Sequence, residues 1–424
     1  MGILVCIKIM SVFLTSKIIA VYIGPIGLAL VEQFQNIIQI IRTFSANLIQ
    51  KGVIKYVSEY RNNPIEKSKI LSSALIFSIA ISIILGFFLI SFSSQIAEVT
   101  LESISFRNIV ILLAATLILF SLNNLFLAIL NAELEIKKYV LSNIVNTLLF
   151  IACTIFLVIY FGVFGALLSL VINQSLIFFF TGGLVITSKW FRWKDFFKGV
   201  HYDSLSKLIT YAFIMIVTTL SLPIAQLVIR NYVAHSLSWE EAGYWQGMTK
   251  LSTNYAILLD TLFSTYYLPK LSSVNSDTDL KNEIKNYYRF LIPISVFIAF
   301  IIYGLKSQIT IIMFSKAFLP MTVLFKYQLV GDIAKVASWI LSYIMIAKTM
   351  IKELFITECL FLFFYTISSC LFIHNFGLIG SSIAFSLSYI FYCVVMIYFV
   401  YKHIKVKNKN VSSTLIDNYV ENLT

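Results

Sequence analysis

Two runs of polar side chains, each set into a long apolar stretch, are the residues of this chain that could do chemistry. Between positions 32 and 50, Glu32, Gln35, Asn36, Gln39, Arg42, Thr43, Asn47 and Gln50 recur at helical spacing. At about 100° per residue they project within about 140° of one another. Between 246 and 264, Gln246, Thr249, Lys250, Thr253, Asp260, Thr261 and Ser264 recur likewise. They fall within about 120° by the same rule, with Ile257 alone breaking the face. Two such faces can oppose each other across a polar cavity inside a membrane.

Eight cations lie within apolar stretches: Lys8, Lys17, Arg42, Lys51, Lys55, Lys250, Lys326 and Lys335. Away from the ends of these stretches the acids are Asp260, Asp332 and Glu358. A charge at a membrane-helix centre costs about 2.5–3.5 kcal/mol on insertion scales, so it must pair or line water. The excess of cations over acids points to a cavity that receives an anion. Lys8, Lys17, Lys51, Lys55 and Lys326 lie near stretch ends, where snorkelling to the headgroups competes with a cavity role. Lys250 lies about two turns deep, and Arg42 deeper still on its polar stripe. Asp332 and Lys335, at i and i+3, can neutralise each other. Asp260, Asp332 and Glu358 are the ion-coupling candidates, because a buried carboxylate can link proton or sodium binding to a conformational cycle. Pro223 is expected to break its helix and serve as a hinge or a static kink, and Pro293 falls in the first turns of another.

The elements that must carry these residues follow from composition. Hydrophobic residues are 59% of 424, charged residues 12%, and mean hydropathy is +0.88. Soluble domains carry about 25% charged residues, so lipid is the main solvent here. About 20 apolar residues cross a bilayer core, and that ruler gives twelve spans, approximately 3–23, 34–60, 70–93, 107–131, 139–161, 163–186, 207–231, 243–268, 287–310, 321–346, 352–374 and 377–401. With the N-terminus cytoplasmic, 20 Lys and Arg fall in cytoplasmic loops and tail, and four (Arg107, Arg230, Lys306, Lys316) fall opposite. That bias sets both termini in the cytoplasm of a multi-pass protein of the inner membrane, and it explains the net charge of +12 without nucleic acid. The five cysteines and four histidines are dispersed, which supports neither a disulfide framework nor a metal site. Neither a cofactor motif nor an ATP-binding P-loop is present.

The halves echo each other. Phe161-Gly162-Val163-Phe164-Gly165 returns as Phe376-Gly377-Leu378-Ile379-Gly380, and Ala132 with Lys137 returns as Ala347 with Lys352, both at an offset of 215. Gly27 matches Gly243 at 216. The expected organisation is an all-α integral membrane fold: a six-helix unit over 1–200, a second over 201–401, and a basic cytoplasmic tail over 402–424. Six is even, so the units share orientation and are related by a pseudo-two-fold axis along the membrane normal.

Longer blocks carry a resemblance. They include Gly24-Pro25-x-Gly27-Leu28, Gly52-x-x-Lys55-Tyr56-Val57, Leu222-Pro223, Arg230-Asn231 and Ser238-Trp239-x-Glu241-x-Gly243-x-Trp245-Gln246-Gly247. Tyr267-Leu268-Pro269-x-Leu271, Phe314-Ser315, Tyr327-Gln328-Leu329-Val330-Gly331-Asp332 with Lys335, and Ala347-Lys348 continue it. In these the chain resembles the Wzx-type flippases, the O-antigen and enterobacterial-common-antigen translocases of the MATE-like (MOP) superfamily. The resemblance implies a MATE-like fold and alternating access. Its implied cargo is an undecaprenyl-diphosphate-linked oligosaccharide, such as the O-antigen repeat unit of lipopolysaccharide, carried from the cytoplasmic to the periplasmic leaflet. The implied partners are that substrate, membrane lipids, a polysaccharide polymerase and a chain-length regulator. A cationic lumen suits a diphosphate and amide side chains suit sugars. Arg42, Lys250, Lys51, Lys55 and Lys335, with Gln39, Asn47 and Gln246, are therefore the expected substrate contacts.

Three other readings compete. An ion-coupled multidrug exporter of the same superfamily would expel cations and should show an acid-dominated cavity. A peptidoglycan-precursor flippase would be expected to carry further C-terminal spans. A lipid-linked sugar polymerase or ligase, an enzyme, would need a long periplasmic loop with catalytic Arg or His, and the longest such connection here is about 13 residues.

Overall fold

A computed structural model describes residues 2–421 except 211, 263–266, 268–269, 272–276 and 349. Among the described residues, the structure is helical with short connections. In chain order the helices are α1 (Gly2–Tyr22), α2 (Gly24–Arg42), a π-helical turn (Thr43–Asn47) and α3 (Leu48–Glu59). They continue as α4 (Pro64–Ser91), α5 (Ser93–Leu101), α6 (Arg107–Ala132), α7 (Ile136–Ile186), α8 (Tyr202–Thr210) and α9 (Ala212–Ser236). The remainder are α10 (Trp239–Leu262), α11 (Asp277–Gly304), α12 (Lys306–Met313), α13 (Phe325–Ala347), α14 (Ile351–Phe376) and α15 (Leu378–Glu421). Seven described helices are long and apolar enough to cross a membrane, which makes this a multi-span membrane protein. The helix holding the first polar stripe begins at Gly24, ten residues before the span boundary that hydropathy sets at 34. Its start is marked by Gly24-Pro25, and Glu32 and Gln33 in its third turn interrupt the apolar run that hydropathy follows.

The chain divides into two compact units. The first comprises Met1–Asn231, Trp239–Gln246 and Ile312–Phe318, and the second Tyr232–Ser238, Gly247–Ile311 and Leu319–Thr424. Within the first, α6 packs against α3, α4 and α7, and α1 lies along α7. Val53, Val57, Ile70, Leu71, Ala74, Leu125, Ile129, Phe196 and Leu208 form a buried apolar cluster there. The α6–α7 turn is tied down by charge. Lys67 on α4 pairs with Glu133 at 2.6 Å, both side chains nearly buried. Ser58 donates to the Ala132 carbonyl at 3.0 Å, and Arg61 donates to the same oxygen, which satisfies the end of α6. Burial works against the charge on Glu135, but hydrogen bonds from Lys138 and Ser188 outweigh it and hold its carboxyl below the usual range. Within the second unit, α13 and α14 both pack on α15, and α11 packs on α13.

One repeated device shapes both units. Gly162 takes φ 55°, ψ −131° inside α7 and folds it back on itself. Ser142–Thr181 (2.6 Å), Asn146–Asn173 (3.0 Å) and Thr154–Ser169 (3.2 Å) then join the two arms. Gly377, 215 residues on, takes φ 60°, ψ −146° between α14 and α15, and Ser368–Ser388 (3.2 Å) joins those arms. Three residues beyond each corner, a Cβ on Gly165 would overlap the Leu157 carbonyl oxygen, and one on Gly380 would overlap that of Phe372. Only glycine fits such positions. Leu157 and Phe372 are themselves 215 apart, so the offset seen in the glycines is a shared backbone conformation.

Candidate functional site

In the first unit the polar stripe of α2 runs into a break in the helix. Arg42 is the last α-helical residue, and the ladder widens to π spacing over Thr43–Asn47 before α3 resumes. Such turns rearrange the side chains around them and are frequent at functional sites. Gln39 precedes the break, and its carbonyl accepts from the Thr43 hydroxyl at 2.9 Å. Arg42 is partly buried. Its guanidinium reaches the Asn124 side-chain oxygen at 3.5 Å and sits 5.7 Å from the Phe120 ring centre, both on α6. Its Nε is buried and has no hydrogen-bond partner among the described residues; the Ser45 hydroxyl and the side-chain oxygens of Asn47 and Asn123 are in the same position. Ser121 holds the π turn by donating to the Ser45 carbonyl at 2.6 Å. A half-buried cation is thus presented among under-satisfied polar groups, an arrangement that can accept an anion together with its hydroxyl-bearing substituents.

Lys51 and Lys55 follow on α3 and are exposed, with Lys55 4.8 Å from the Tyr56 ring centre. Gln246 is placed differently. It is buried, and with it stands Arg230, a fully buried side chain. Arg230 donates to Gln33 Oε1 at 2.7 Å and to Gln246 Oε1 at 2.6 Å, and its guanidinium lies 5.6 Å from the Trp245 ring centre. Gln246 Nε2 donates onward to Glu32 Oε2 at 3.3 Å. Asn36, turned oxygen-inward, accepts from both terminal nitrogens of Arg230 at 3.2 and 3.3 Å. Hydropathy assigns Arg230 to a loop beyond the membrane; the structure corrects this. The residue lies inside α9, whose helix runs on to Ser236. Amides of the first unit, from Gln33, Gln246 and Asn36, accept from its guanidinium. The Arg230-Asn231 and Trp245-Gln246 blocks of the resemblance are two sides of one contact.

In the second unit, Lys250 is partly buried on α10. Asp332 on α13 is buried, and its two carboxylate oxygens accept from Ser252 and Tyr255, both on α10. The i, i+3 spacing places Lys335 one turn on, and the Ser252 and Tyr255 hydroxyls add to the carboxylate's surroundings. A cleft borders the same carboxylate, lined also by Tyr255, Ser295, Leu329 and Val336. Lys335 lies 5.5 Å from the Trp339 ring centre and 5.7 Å from that of Tyr389. Glu358 on α14 accepts from the Tyr392 hydroxyl of α15 at 2.7 Å. The side chain of Asp260 lies outside the described residues. α9 continues through Pro223 from Ala212 to Ser236, so this proline does not break the helix. A proline leaves the carbonyl four residues before it without a donor, and neighbours can make good that loss within a bundle.

The Gln-Leu-Val-Gly-Asp block also acquires a physical meaning. Gln328 accepts from Ser382 at 3.2 Å, a Cβ on Gly331 would overlap the Phe385 ring, and Asp332 holds the hydroxyls of α10. The block is therefore the packing face of α13 against α15 with a carboxylate at its edge. The residues that sequence patterns miss are Arg230, Gln33, Asn124, Ser252, Tyr255 and Tyr392. Only Arg230 stood in a marked block; the others carry no local signal.

Comparison with known proteins places this geometry. Residues 2–275 match the family described as polysaccharide biosynthesis protein. The chain is similar to the Lipid III flippase of Escherichia coli (strain K12), 25% identical over 387 residues, which are 91% of this chain and 93% of that protein. The Lipid III flippase of Shigella flexneri matches with the same identity and coverage. Among solved structures, an inward-facing multidrug resistance MATE family transporter of the MOP superfamily superposes with TM-score 0.77 at 13% identity, covering 95% of this chain and 96% of that one. The Lipid II flippase MurJ in an inward closed conformation superposes with TM-score 0.72 at 16% identity, covering 94% and 86%. At these identities the structural likenesses speak for the fold alone.

Proposed function

The chain belongs to the polysaccharide biosynthesis protein family, within the Wzx-type flippases of the MATE-like (MOP) superfamily, and from that premise we propose that it flips an undecaprenyl-diphosphate-linked oligosaccharide from the cytoplasmic to the periplasmic leaflet. The observation that carries this reading is the similarity to the Lipid III flippases along 91% of the chain, in a protein whose polar stripe presents Arg42 half-buried at a π turn. On this reading the twelve spans form two six-helix units with both termini cytoplasmic. Arg42 meets the diphosphate, Gln39 and Asn47 meet the sugars, and Lys51 and Lys55 draw the anionic headgroup in from the cytoplasmic surface. Lys250 and Lys335 contribute from the second unit. Asp332, held by two hydroxyls beside a cleft, is a better-built ion-coupling candidate than Glu358, and Asp260 remains the third candidate. Polymerase and chain-length regulator would act on the product in the periplasm. The multidrug-exporter reading, which calls for an acid-dominated cavity, gains nothing from an arginine at the π turn.

The deciding experiment is complementation of a host that lacks its own lipid-linked oligosaccharide flippase. It is scored by surface polysaccharide and by the leaflet in which the lipid-linked unit accumulates. Restored polysaccharide, lost again in Arg42→Glu, is the expected result. A folded, inserted protein that restores neither its native repeat unit nor that of the host overturns the reading.

A further inference from the structure

The connector between α7 and α9 is unlike the other connections of the first unit. Residues 187–207 hold Lys189, Arg192, Lys194, Lys198 and Lys207 against Asp195 and Asp203, a net charge of +3. Interleaved with these cations are apolar side chains turned outward: Trp193, Phe197, Val200 and Tyr202 are 59%, 71%, 53% and 83% exposed. The exposure does not come from a loose loop. Phe196 is buried in the apolar cluster of α3, α4 and α6. Lys198 donates to Ser68 at 2.7 Å, Ser72 donates to the Gly199 carbonyl at 2.8 Å, and the His201 amide donates to Ser73 at 3.0 Å. At the far end Lys207 donates to the Tyr60 hydroxyl at 3.0 Å, and Leu208 is buried against Gly52. The segment is a strap fixed to the first turns of α4, with its aromatic and basic side chains aimed away from the protein.

Its height in the membrane follows from α4. That helix has 28 residues, or about 42 Å at 1.5 Å per residue, which matches a bilayer including its headgroup layers. Ser68, Ser72 and Ser73 lie about 6–14 Å from its start, so the strap sits where the headgroups meet the hydrocarbon. Amphipathic rings favour that depth, where one edge is apolar and the other wet. Exposed Lys189, Arg192 and Lys194 beside Trp193 there meet phosphate-bearing headgroups, and an anionic surface attracts each basic residue by roughly five-fold.

We propose that the strap 187–207 is an in-plane membrane anchor that selects anionic phospholipid headgroups through Lys189, Arg192 and Lys194 while Trp193 and Phe197 insert at the interface. It grips the bilayer at the start of α4, α8 and α9, so it fixes where these helices sit as the protein works. The occupant is bulk anionic phospholipid; a protein partner would not need rings at headgroup depth.

The test uses the full chain reconstituted in phosphatidylcholine vesicles with and without about 30% phosphatidylglycerol, a fraction that makes the surface potential strongly negative. Trp193 is read as the difference between wild type and Trp193→Phe, quenched either by lipids brominated high on the acyl chain or by aqueous iodide. The expected result is quenching by brominated lipid and protection from iodide. Phosphatidylglycerol retained on the purified protein should fall at least five-fold in Lys189→Gln/Arg192→Gln/Lys194→Gln, a surface triple that leaves the buried staples intact. Trp193 quenched by iodide and not by lipid overturns the anchor and points to a soluble partner. Unchanged phosphatidylglycerol retention in the triple overturns the headgroup selection. Neither failure touches the flippase reading, which the complementation assay tests separately.

Discussion

Arg230 offers the sharpest test of how this protein is held together. Replacing it with Met keeps the aliphatic stem over Trp245 and removes every donor of the guanidinium. Gln33 and Gln246 then keep buried side-chain oxygens without their donor, and Asn36 loses its contacts as well. Each unsatisfied buried group costs about 1–3 kcal/mol. Against this, the mutant no longer desolvates a charge, which returns part of the loss. The net for Arg230→Met is a loss of about 2–4 kcal/mol. At about 2–4 °C per kcal/mol for a unit of about 250 residues, the melting temperature in detergent falls by about 4–16 °C. The companion Arg230→Met/Gln33→Leu removes a donor and its acceptor together, keeps Gln246 as the donor to Glu32, and should melt above the single variant. That reversal is the signature of a buried polar network as opposed to a packing defect. Tryptophan fluorescence on heating reads both variants directly. A single variant that melts within about 1 °C of wild type would refute the network argument. So would a double variant that merely adds two losses.

Other consequences are as specific. Arg42→Gln should lower translocation at least ten-fold with insertion and melting temperature little changed, since its Asn124 contact is long and polar; Asn124→Asp, which keeps a partner for the guanidinium, should retain more transport than Asn124→Leu in the same leaflet assay. Gly162→Ala and Gly377→Ala force a Cβ into positive φ at ψ near −140° and should each cost about 1–3 kcal/mol, seen as matched drops in melting temperature. Gly165→Ala and Gly380→Ala should be worse, because a carbonyl oxygen occupies the space, and membrane yield reads that loss. Lys67→Met strands Glu133 and should destabilise by about 3–5 kcal/mol, whereas Lys67→Met/Glu133→Leu should recover most of it; equal melting of the single and double variants would deny the pair its role.

The features legible in the sequence are those with a local period or a local geometric demand. The stripe from Glu32 to Gln50 is visible because a helix repeats every 3.6 residues whatever surrounds it. The corners at Gly162 and Gly377 are visible because the sequence repeats there, and the structure shows what the repeat encodes: a backbone conformation that Cβ forbids. The π turn after Arg42 has no comparable signature. Thr43–Asn47 are ordinary helix-compatible residues, and the wider ladder comes from packing against α6, where Ser121 holds the Ser45 carbonyl.

Partners distant in the chain lie beyond such reading, and the two buried charges show why. Asp332 has a cation at i+3, and the local rule makes an ion pair of them. The hydroxyls that also hold it come from Tyr255 and Ser252, 77 and 80 positions away, where no local rule looks. Arg230 sits near the end of an apolar run, and hydropathy counts a cation there as a loop residue. The counting is blind to Gln33, 197 residues earlier, which supplies the acceptor that lets the charge stay inside. A window average asks what a segment costs in lipid; it cannot ask whether another segment offsets that cost. The same blindness makes the most informative residues of this protein those that break the hydropathy rule. A fully buried arginine is retained only if its surroundings were built for it. Here that environment is Glu32, Gln33, Asn36 and Gln246, so the middle turns of α2 hold a structural charge, and the proposed substrate contacts Gln39, Arg42 and Asn47 follow in its last turn and in the π turn beyond.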